Sequence, residues 1–310
     1  MDVGERFREP LVLDGGLASE LERAGADLSD ELWSARLLLE DPDLIRRVHR
    51  AYVEAGADVA ISASYQASFE GFARRGIDRE GAARLMRQSV ELAREAAEGS
   101  PTERRTLVAA SVGPYGAVLA DGSEYDGRYG LTVDELAAFH EPRLDVLLDA
   151  GADLLAVETI PSVVEAEAIV RLLDAREGAA LAWVTFGCRD DEHLNDGTPI
   201  ARAAELAASS PAVMAVGVNC TPPRFVVGLL HRIRERLPDV PLVAYPNLGS
   251  TWDPVAHAWR AEGPRPDFGA GANSWLSEGA TAIGGCCGTG PQDIRAVAAV
   301  LRGNDVPGRS

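Results

Sequence analysis

Three cysteines constrain how this chain can fold. Two are adjacent, in the sequence Gly284-Gly285-Cys286-Cys287-Gly288-Thr289, and the third, Cys220, lies far upstream. Each site follows an apolar run typical of a buried strand, 213–218 before Cys220 and 281–283 before the paired glycines. The three thiols can meet only if the fold brings the ends of those strands together. A parallel barrel does so, because the carboxyl ends of all its strands lie on one face.

Short apolar runs recur along the whole chain, separated by stretches rich in Ala, Leu, Glu and Arg such as 43–55 and 81–98. Continuous apolar runs that alternate with amphipathic helices are typical of a buried parallel sheet. Eight of them predict a (β/α)8 barrel, the TIM-type fold. The predicted strands cover 11–13, 59–62, 107–110, 154–157, 181–184, 213–218, 242–245 and 281–283.

A short internal repeat supports this fold. Ala55-Gly56-Ala57-Asp58, Ala150-Gly151-Ala152-Asp153 and Glu278-Gly279-Ala280-Thr281 each lie between a predicted helix and the next strand. Glycine at the second position suits the left-handed residue that ends many helices. The alternative is that Ala-Gly-Ala recurs by chance in an alanine-rich protein.

Length and charge limit the classes of function. A single barrel domain over 1–310, with a disordered tail from about 303, accounts for the 310 residues, of which 46% are hydrophobic. The net charge of −18 argues against nucleic acid and anionic membranes as partners and is compatible with a cationic substrate. No signal peptide or membrane span is evident, and four cysteines in this length are not a disulfide framework. We therefore expect a reduced, cytoplasmic protein.

Cys220, Cys286 and Cys287 are the predicted metal ligands and the first catalytic candidates. Three thiolates without a fourth partner describe a Zn²⁺ site with one open position, which is typical of catalytic zinc. Glycines beside the cysteine pair would let the backbone bend so that both sulfurs reach one ion. The alternative is ordinary burial, which we do predict for Cys188, the fourth cysteine, after the fifth strand.

The proposed ligand set indicates a particular chemistry. Three thiolates on Zn²⁺ leave a net charge of −1, so a substrate thiol in the fourth position is deprotonated and stays nucleophilic. Hydrolytic zinc sites favour neutral His ligands, and none of the five His falls at a predicted strand end. The pattern therefore predicts thiol activation.

Two carboxylates also stand where predicted strands stop. Asp14 and Glu158 follow the first and fourth strands, and either could hold the ammonium group of an amino-acid substrate. Either could instead cap the next helix or face solvent. Four aromatic residues could face a cationic methyl donor or simply pack against neighbours, namely Trp33, Tyr65, Phe69 and Tyr115.

The segment 114–131, after the third predicted strand, is long and rich in Gly, Asp and Tyr. Loops of this length with little apolar periodicity are often functional lids. The alternative is a flexible surface loop that has no role in the site. The sequence leaves both interpretations open.

With these residues in hand, the chain resembles the homocysteine S-methyltransferase family from about Leu11 to about Leu301, and within it the bacterial enzymes that use S-methylmethionine. The most specific feature is the Cys286-Cys287 pair with Asn219-Cys220 upstream. Further matching stretches are Leu-Trp-Ser-Ala at 32–35, Ser-Ala-Ser-Tyr-Gln-Ala at 62–67, Ser-Val-Gly-Pro-Tyr-Gly at 111–116, Leu-Ala-Asp-Gly-Ser-Glu-Tyr at 119–125 and Asp-Gly-Thr-Pro at 196–199.

The resemblance implies a (β/α)8 fold, one zinc on the three cysteines, and a homocysteine amino group held by Asp14 and Glu158. We count Glu158 with the catalytic candidates. The predicted substrate-binding residues are Asp14, Glu158, Asn219, Trp33, Tyr65 and Gln66. Betaine-using relatives carry an aromatic cage, and Gln66 and Thr159 stand here where that cage has tyrosines, which argues against betaine.

We therefore expect an enzyme that ionises homocysteine on zinc and attacks the methyl group of a sulfonium donor, either S-methylmethionine or S-adenosylmethionine, to give methionine. The alternatives within the family are betaine- or selenocysteine-using enzymes. An alternative from another class is a non-catalytic barrel that stores or senses zinc or thiols. Such a site would be closed by a fourth ligand.

Overall fold

The computed structural model describes residues 3–27, 34–99, 104–176, 178, 180–253, 258–261 and 264–303. The predicted disordered tail therefore lies, after Gly303, outside the described residues, as does Trp33. Eight parallel strands form one curved sheet with helices between them, which confirms the predicted (β/α)8 barrel. These strands are β1 (Leu11–Val12), β2 (Val59–Ile61), β3 (Leu107–Val112), β4 (Leu154–Ile160), β5 (Ala182–Phe186), β6 (Val213–Asn219), β7 (Leu242–Tyr245) and β10 (Ala280–Ile283).

The strand order explains how distant cysteines can meet. Around the barrel the order is β1-β10-β7-β6-β5-β4-β3-β2, and a parallel bridge between Leu13 and Val59 joins the two ends. Only β7 separates β6 from β10. The carboxyl ends of these two strands, which precede Cys220 and Cys286, are therefore close.

The helices follow the strands and begin where the sequence supplies caps. Ser68, Asp78 and Ser162 each accept a hydrogen bond from the backbone N–H three residues on, which satisfies a free donor at the helix start. The helices are α1 (Val3–Arg6), α2 (Leu17–Arg23), α3 (Ser34–Glu40), α4 (Pro42–Glu54), α5 (Phe69–Ala73), α6 (Arg79–Glu98), α7 (Tyr115–Leu119), α8 (Val133–Asp149), α9 (Val163–Asp174), α10 (Ile200–Ala208), α11 (Pro223–Arg236), α12 (Phe268–Ser277) and α13 (Pro291–Leu301), with a 3-10 turn at Ser123–Tyr125. Within the described part of the chain, none of them is both long and apolar enough to cross a membrane.

Alternate residues of each strand pack into two cores. One lies between the strands and the surrounding helices, and the other fills the inside of the barrel. In the inner core Trp183 lies between Phe7 and Tyr245, with ring centroids 5.6 Å and 6.4 Å away. Because side chains fill the barrel, a ligand can enter only above them.

One element was not predicted. Strands β8 (Ser250–Asp253) and β9 (Ala258–Ala261) pair as an antiparallel hairpin outside the barrel sheet. Each is four residues long and lacks a continuous apolar run, so the sequence pattern that reveals the barrel strands is missing there.

The predicted role of the repeat glycines is confirmed. Gly56, Gly151 and Gly279 have φ of 107°, 79° and 90°, the left-handed region that ends a helix without strain only at glycine. The aspartates that follow two of them were not assigned a role by sequence. Asp58 accepts a hydrogen bond from Val12 N at 3.0 Å, and Asp153 accepts one from Val108 N at 2.8 Å. Each carboxylate thus joins the start of one strand to the strand before it.

Asp153→Ala tests this structural role. Asp153 also pairs with Arg94 and Arg105 at 2.8 Å and 2.6 Å, so its loss leaves a strand N–H and a half-buried cation without their acceptor. We expect a fall of about 1–3 kcal/mol in the free energy of unfolding, measured by urea denaturation. The kcat should be unchanged, because Asp153 lies at the amino ends of the strands. The exposed Glu91→Ala serves as control, and equal stability of the two variants would contradict the role.

Candidate metal and substrate site

The structure brings the three predicted cysteine ligands together. Cys220 follows β6 directly, and Cys286 and Cys287 follow β10 after two glycines. All three are free thiols, their sulfurs lie within 4.8 Å of one another, and the sulfurs of Cys220 and Cys287 are 3.6 Å apart. Sulfurs arranged tetrahedrally about 2.3 Å from one zinc are about 3.8 Å apart, so the spacing fits a shared ion. Among the described residues, no other cluster of His, Cys, Asp or Glu has this geometry.

Glycine is required where the turn after β10 crosses the end of β1. A Cβ at Gly284 would lie 2.6 Å from the Leu13 side chain and 2.7 Å from the Asp14 carbonyl oxygen, both closer than real contacts. The turn is tied down by hydrogen bonds from Gly285 N to Asp14 O (3.0 Å) and from Cys286 N to Pro246 O (2.8 Å). These contacts place the cysteine pair at the carboxyl end of β10, between β1 and β7.

Two strained residues also shape the site. Thr159 and Cys220, at the ends of β4 and β6, have φ of 60° and 47°, a left-handed conformation that costs about 1–3 kcal/mol for residues other than glycine. Asn219 links the ends of β4 and β6. Its side-chain oxygen accepts a hydrogen bond from Thr159 N, and its amide group donates one to Thr159 Oγ1, both at 2.7 Å. The fixed conformation turns both strained side chains into the cavity.

Asp14 and Glu158 are both buried in the wall of the same cavity. Asp14 accepts a hydrogen bond from Ile61 N at 2.8 Å, and Glu158 accepts one from the Ser111 hydroxyl. Burial raises the pKa of Asp14 well above its usual value. Burial, with a smaller contribution from the charge of Cys286, raises the pKa of Glu158 to about 7. Neither carboxylate forms an ion pair with a basic side chain in the part of the chain that the structure describes.

The cavity as a whole is acidic and lacks basic residues. The chain contains no lysine, and among the described residues no Arg or His lines this space. An acidic cavity without a counter-ion favours a ligand that carries positive charge. The lining residues are Asp14, Gly15, Gly16, Leu17, Ala18, Ser19, Ile61, Ser62, Ala63, Tyr65, Gln66, Ser111, Glu124, Tyr125, Glu158, Thr159, Cys220, Tyr245, Gly285, Cys286 and Cys287.

Some of the other predicted site residues lie in the cavity and some do not. Tyr65 and Gln66 line it, whereas Asn219 lies behind the wall with its amide occupied by Thr159. Phe69 and Tyr115 do not line it. Arg79 stacks 4.3 Å above the Phe69 ring, and Tyr115 packs edge-on against Phe139 at 5.0 Å.

Cys188 matches its prediction. It is buried outside the cavity, and its backbone N–H donates to Thr221 Oγ1 at 3.0 Å. It is not part of the sulfur cluster.

Sequence reasoning assigned no site role to several cavity residues, among them Glu124, Tyr125 and Tyr245. Glu124 and Tyr125 come from the segment 114–131, which is folded into α7 and the 3-10 turn and forms one wall of the cavity. Tyr245 lies at the end of β7, where Trp183 Nε1 (3.1 Å) and Thr185 Oγ1 (2.8 Å) bond its hydroxyl. The two-residue alternation along β7 could have assigned Tyr245 to the barrel interior.

A filled parallel barrel with polar groups and three convergent thiols at the carboxyl ends of its strands is the architecture of a barrel enzyme with a metal site. The family model described as homocysteine S-methyltransferase matches residues 11–301, and the chain belongs to that family.

Individual relatives agree with this assignment. Homocysteine S-methyltransferase YbgG from Bacillus subtilis is 46% identical, with 94% of each chain covered. The metallated form of the homocysteine methyltransferase MmuM from Escherichia coli superposes with a TM-score of 0.84 at 47% identity, covering 94% of this chain and 96% of that one. A selenocysteine Se-methyltransferase from Brassica oleracea is 44% identical over 92% of this chain and 87% of its own.

Serine substitutions test the sulfur cluster. We expect the purified wild-type protein to bind about one Zn²⁺ per chain. Cys220→Ser, Cys286→Ser and Cys287→Ser should each lower the bound metal, because serine is a poor zinc ligand at neutral pH. The same change at the buried Cys188 is the matched control and should leave metal content near that of the wild type. Elemental analysis after dialysis decides, and full zinc occupancy in Cys286→Ser would refute the site.

Proposed function

We propose that this chain transfers a methyl group from a sulfonium donor, S-methylmethionine in first place, to the thiol of L-homocysteine, with Zn²⁺ held by Cys220, Cys286 and Cys287. The observation that carries the proposal is the convergence of three sulfurs in the same cavity as Asp14 and Glu158. A soft metal site for the thiol therefore lies beside carboxylates for an ammonium group. A reducing, cytoplasmic setting would keep these thiols available as ligands.

The ligand set supports zinc and thiol activation. When bound, zinc lowers the pKa of a thiol that coordinates it, so that a thiolate exists at neutral pH. The three cysteine thiolates contribute an excess of negative charge, which keeps the substrate sulfur nucleophilic. No other His, Cys, Asp or Glu among the described residues joins the sulfur cluster, which favours an open fourth position over a storage site.

Asp14 and Glu158 suit the amino group of homocysteine. Both are buried, and both lie in the wall of the cavity that the three cysteines also line. Ser111 and Ile61 fix one oxygen of each carboxylate by hydrogen bonds. The ammonium group would therefore meet carboxylates whose position is already set, and little ordering is needed on binding.

The methyl transfer depends on correct positioning of the two substrates more than on general acid or base catalysis. The homocysteine thiolate attacks the methyl carbon, the bond from that carbon to the donor sulfur breaks, and the donor leaves as a neutral thioether. No proton moves in this step, so no general base is required of the cavity. The chain contributes by holding both sulfurs in line with the methyl carbon.

Two residues of the cavity wall, Gln66 and Thr159, favour a sulfonium donor over betaine. Gln66 and Thr159 lie in the cavity wall and are fixed there by hydrogen bonds to Ala117 O (3.1 Å) and Asn219 (2.7 Å). Neither presents a ring face, and a trimethylammonium group gains most from aromatic faces. Tyr65, Tyr125 and Tyr245 also line the cavity, so only Gln66 and Thr159 argue against betaine.

A donor panel tests this assignment. At saturating homocysteine, initial rates should be highest with S-methylmethionine, lower with S-adenosylmethionine, and close to background with betaine. Selenocysteine can be assayed as acceptor in place of homocysteine, because a relative is named for that reaction. Betaine turnover equal to that with S-methylmethionine would overturn the proposed donor.

Glu158→Gln tests recognition of the acceptor. The change keeps the shape and the hydrogen bond from Ser111 but removes the charge that faces the ammonium group. We expect homocysteine binding to weaken by about 2–5 kcal/mol, with zinc content unchanged. Titration of the zinc-loaded protein with homocysteine gives the affinity. An unchanged affinity would exclude Glu158 from this role.

A further inference from the structure

Glu124 is the one carboxylate of the cavity wall that the proposed function leaves unused. It lies in the 3-10 turn of the segment 114–131, is 5% exposed, and lines the cavity. Its Oε2 has no hydrogen-bond partner among the described residues. A buried carboxylate oxygen that lacks a partner is costly and therefore calls for a ligand.

The backbone holds Glu124 in a defined place. Asn195 Nδ2 donates to the Glu124 carbonyl oxygen at 3.2 Å. Gly116 of α7 lies so close that a Cβ there would be 2.4 Å from Glu124 N. Gly122, two residues earlier, has φ of 85° and sets up the turn. The carboxylate is thus presented by packed backbone.

No cationic side chain in the described part of the protein compensates the charge of Glu124. Burial raises the pKa of Glu124 to about 7, a hydrogen bond from its own backbone N–H lowers that pKa in part, and the nearby acid Asp121 raises it. Because no basic residue lines the cavity among the described residues, the missing cation has to come with a ligand.

Glu124 and the other two carboxylates are held by different parts of the fold. Asp14 follows β1 and Glu158 lies in β4, and each is bonded to a neighbouring strand, Asp14 by Ile61 N and Glu158 by the Ser111 hydroxyl. Glu124 instead lies in the 3-10 turn outside the barrel strands, and its Oε2 has no partner among the described residues. If the first pair holds the ammonium group of the acceptor, Glu124 is left for the second cationic molecule in the reaction.

We propose that the Glu124 carboxylate binds the α-ammonium group of the methyl donor and so selects sulfonium donors that carry an amino-acid end. The inference rests on the proposed function. The ammonium is a better partner than the sulfonium for a physical reason. Its charge persists through the reaction, whereas the sulfonium charge disappears as the methyl group leaves. A carboxylate on the sulfonium would stabilise the ground state more than the transition state and slow the transfer.

Glu124→Gln is the direct test. Loss of a charged hydrogen bond should raise KM for S-methylmethionine roughly 10- to 100-fold while kcat changes little, because the contact is equal in both states. KM for homocysteine and zinc content should stay at wild-type values. The matched control is Asp126→Asn, in the same segment, where the carboxylate is half-exposed and pairs with Arg128 instead of facing the cavity.

A methyl donor that lacks an amino group shows whether Glu124 contacts the ammonium group or the sulfonium group. Dimethylsulfoniopropionate carries a sulfonium and a carboxylate only, and it can be assayed as donor or as competitive inhibitor. Glu124→Gln should leave its apparent affinity unchanged. An equal loss for both sulfonium compounds would place the carboxylate on the sulfonium and overturn the inference. The variant should fold at least as well as the wild type, because it removes an unpaired buried charge, and a thermal melt checks this.

The test distinguishes this inference from the proposed function. If the wild type uses S-methylmethionine and Glu124→Gln has the same donor KM, the role of Glu124 is refuted while the proposed function stands. If the wild type neither binds nor uses S-methylmethionine in calorimetry and rate assays, the proposed donor fails and the inference fails with it. A rise in homocysteine KM alone would move Glu124 to the acceptor and refute it as well.

Discussion

The tight contact between the turn after β10 and the end of β1 is the constraint on which the site depends. Gly284 leaves no room for a side chain against Leu13, and the hydrogen bond from Gly285 N to Asp14 O fixes the same crossing. The crossing sets the position of Cys286 and Cys287 and, through the same backbone, that of Asp14. A shift of a few tenths of an ångström there would move two sulfurs and one carboxylate together. Cys286, Cys287 and Asp14, which are two of the proposed metal ligands and one of the proposed acceptor carboxylates, therefore move as one mechanical unit.

Charge imposes the second constraint. Asp14, Glu124 and Glu158 are all buried in a cavity that has no basic residue among the described ones. In the free protein each of them disfavours the folded state when ionised, which is why burial raises the pKa of each. Cationic ligands offset that penalty. Binding free energy and folding free energy are thereby linked in this family member, and occupied protein should be the more stable form.

The barrel itself could be predicted because its strands leave a strong pattern. Runs such as 107–110 and 154–157 carry uninterrupted apolar sequence and lie in strands that are buried on both faces, so the number of strands and their order along the chain follow from the sequence alone. The hairpin of β8 and β9 has no such pattern and was missed. The thiol cluster could be predicted for a similar reason, since the cysteines follow two such runs and the carboxyl ends of all strands meet on one face of a barrel.

The remaining parts of the site depend on distances that a sequence does not contain. Asn219 was expected to contact substrate, but its amide instead bonds Thr159, sixty residues earlier in the chain and on the strand two places away in the barrel. Glu124 belongs to a stretch that carries the family resemblance, but the sequence assigns it no role, because one acidic residue in a polar loop is ordinarily solvated. Its burial follows only from how α7 packs over the 3-10 turn. Long-range packing thus decides which polar residues become part of the cavity.

The core inside the barrel extends up to the cavity at the carboxyl ends of the strands. Phe7 closes the inside of the barrel beneath Trp183, and Trp183 in turn donates its indole N–H to the hydroxyl of Tyr245. Tyr245 lines the cavity next to Glu158, and its hydroxyl is also bonded by Thr185. The floor of the site is therefore an aromatic stack with all its polar atoms engaged. Such a floor resists water and holds Glu158 in a low-dielectric setting, where an ammonium partner gains most. The strained residues Thr159 and Cys220 can persist above it because the packed interior below does not yield.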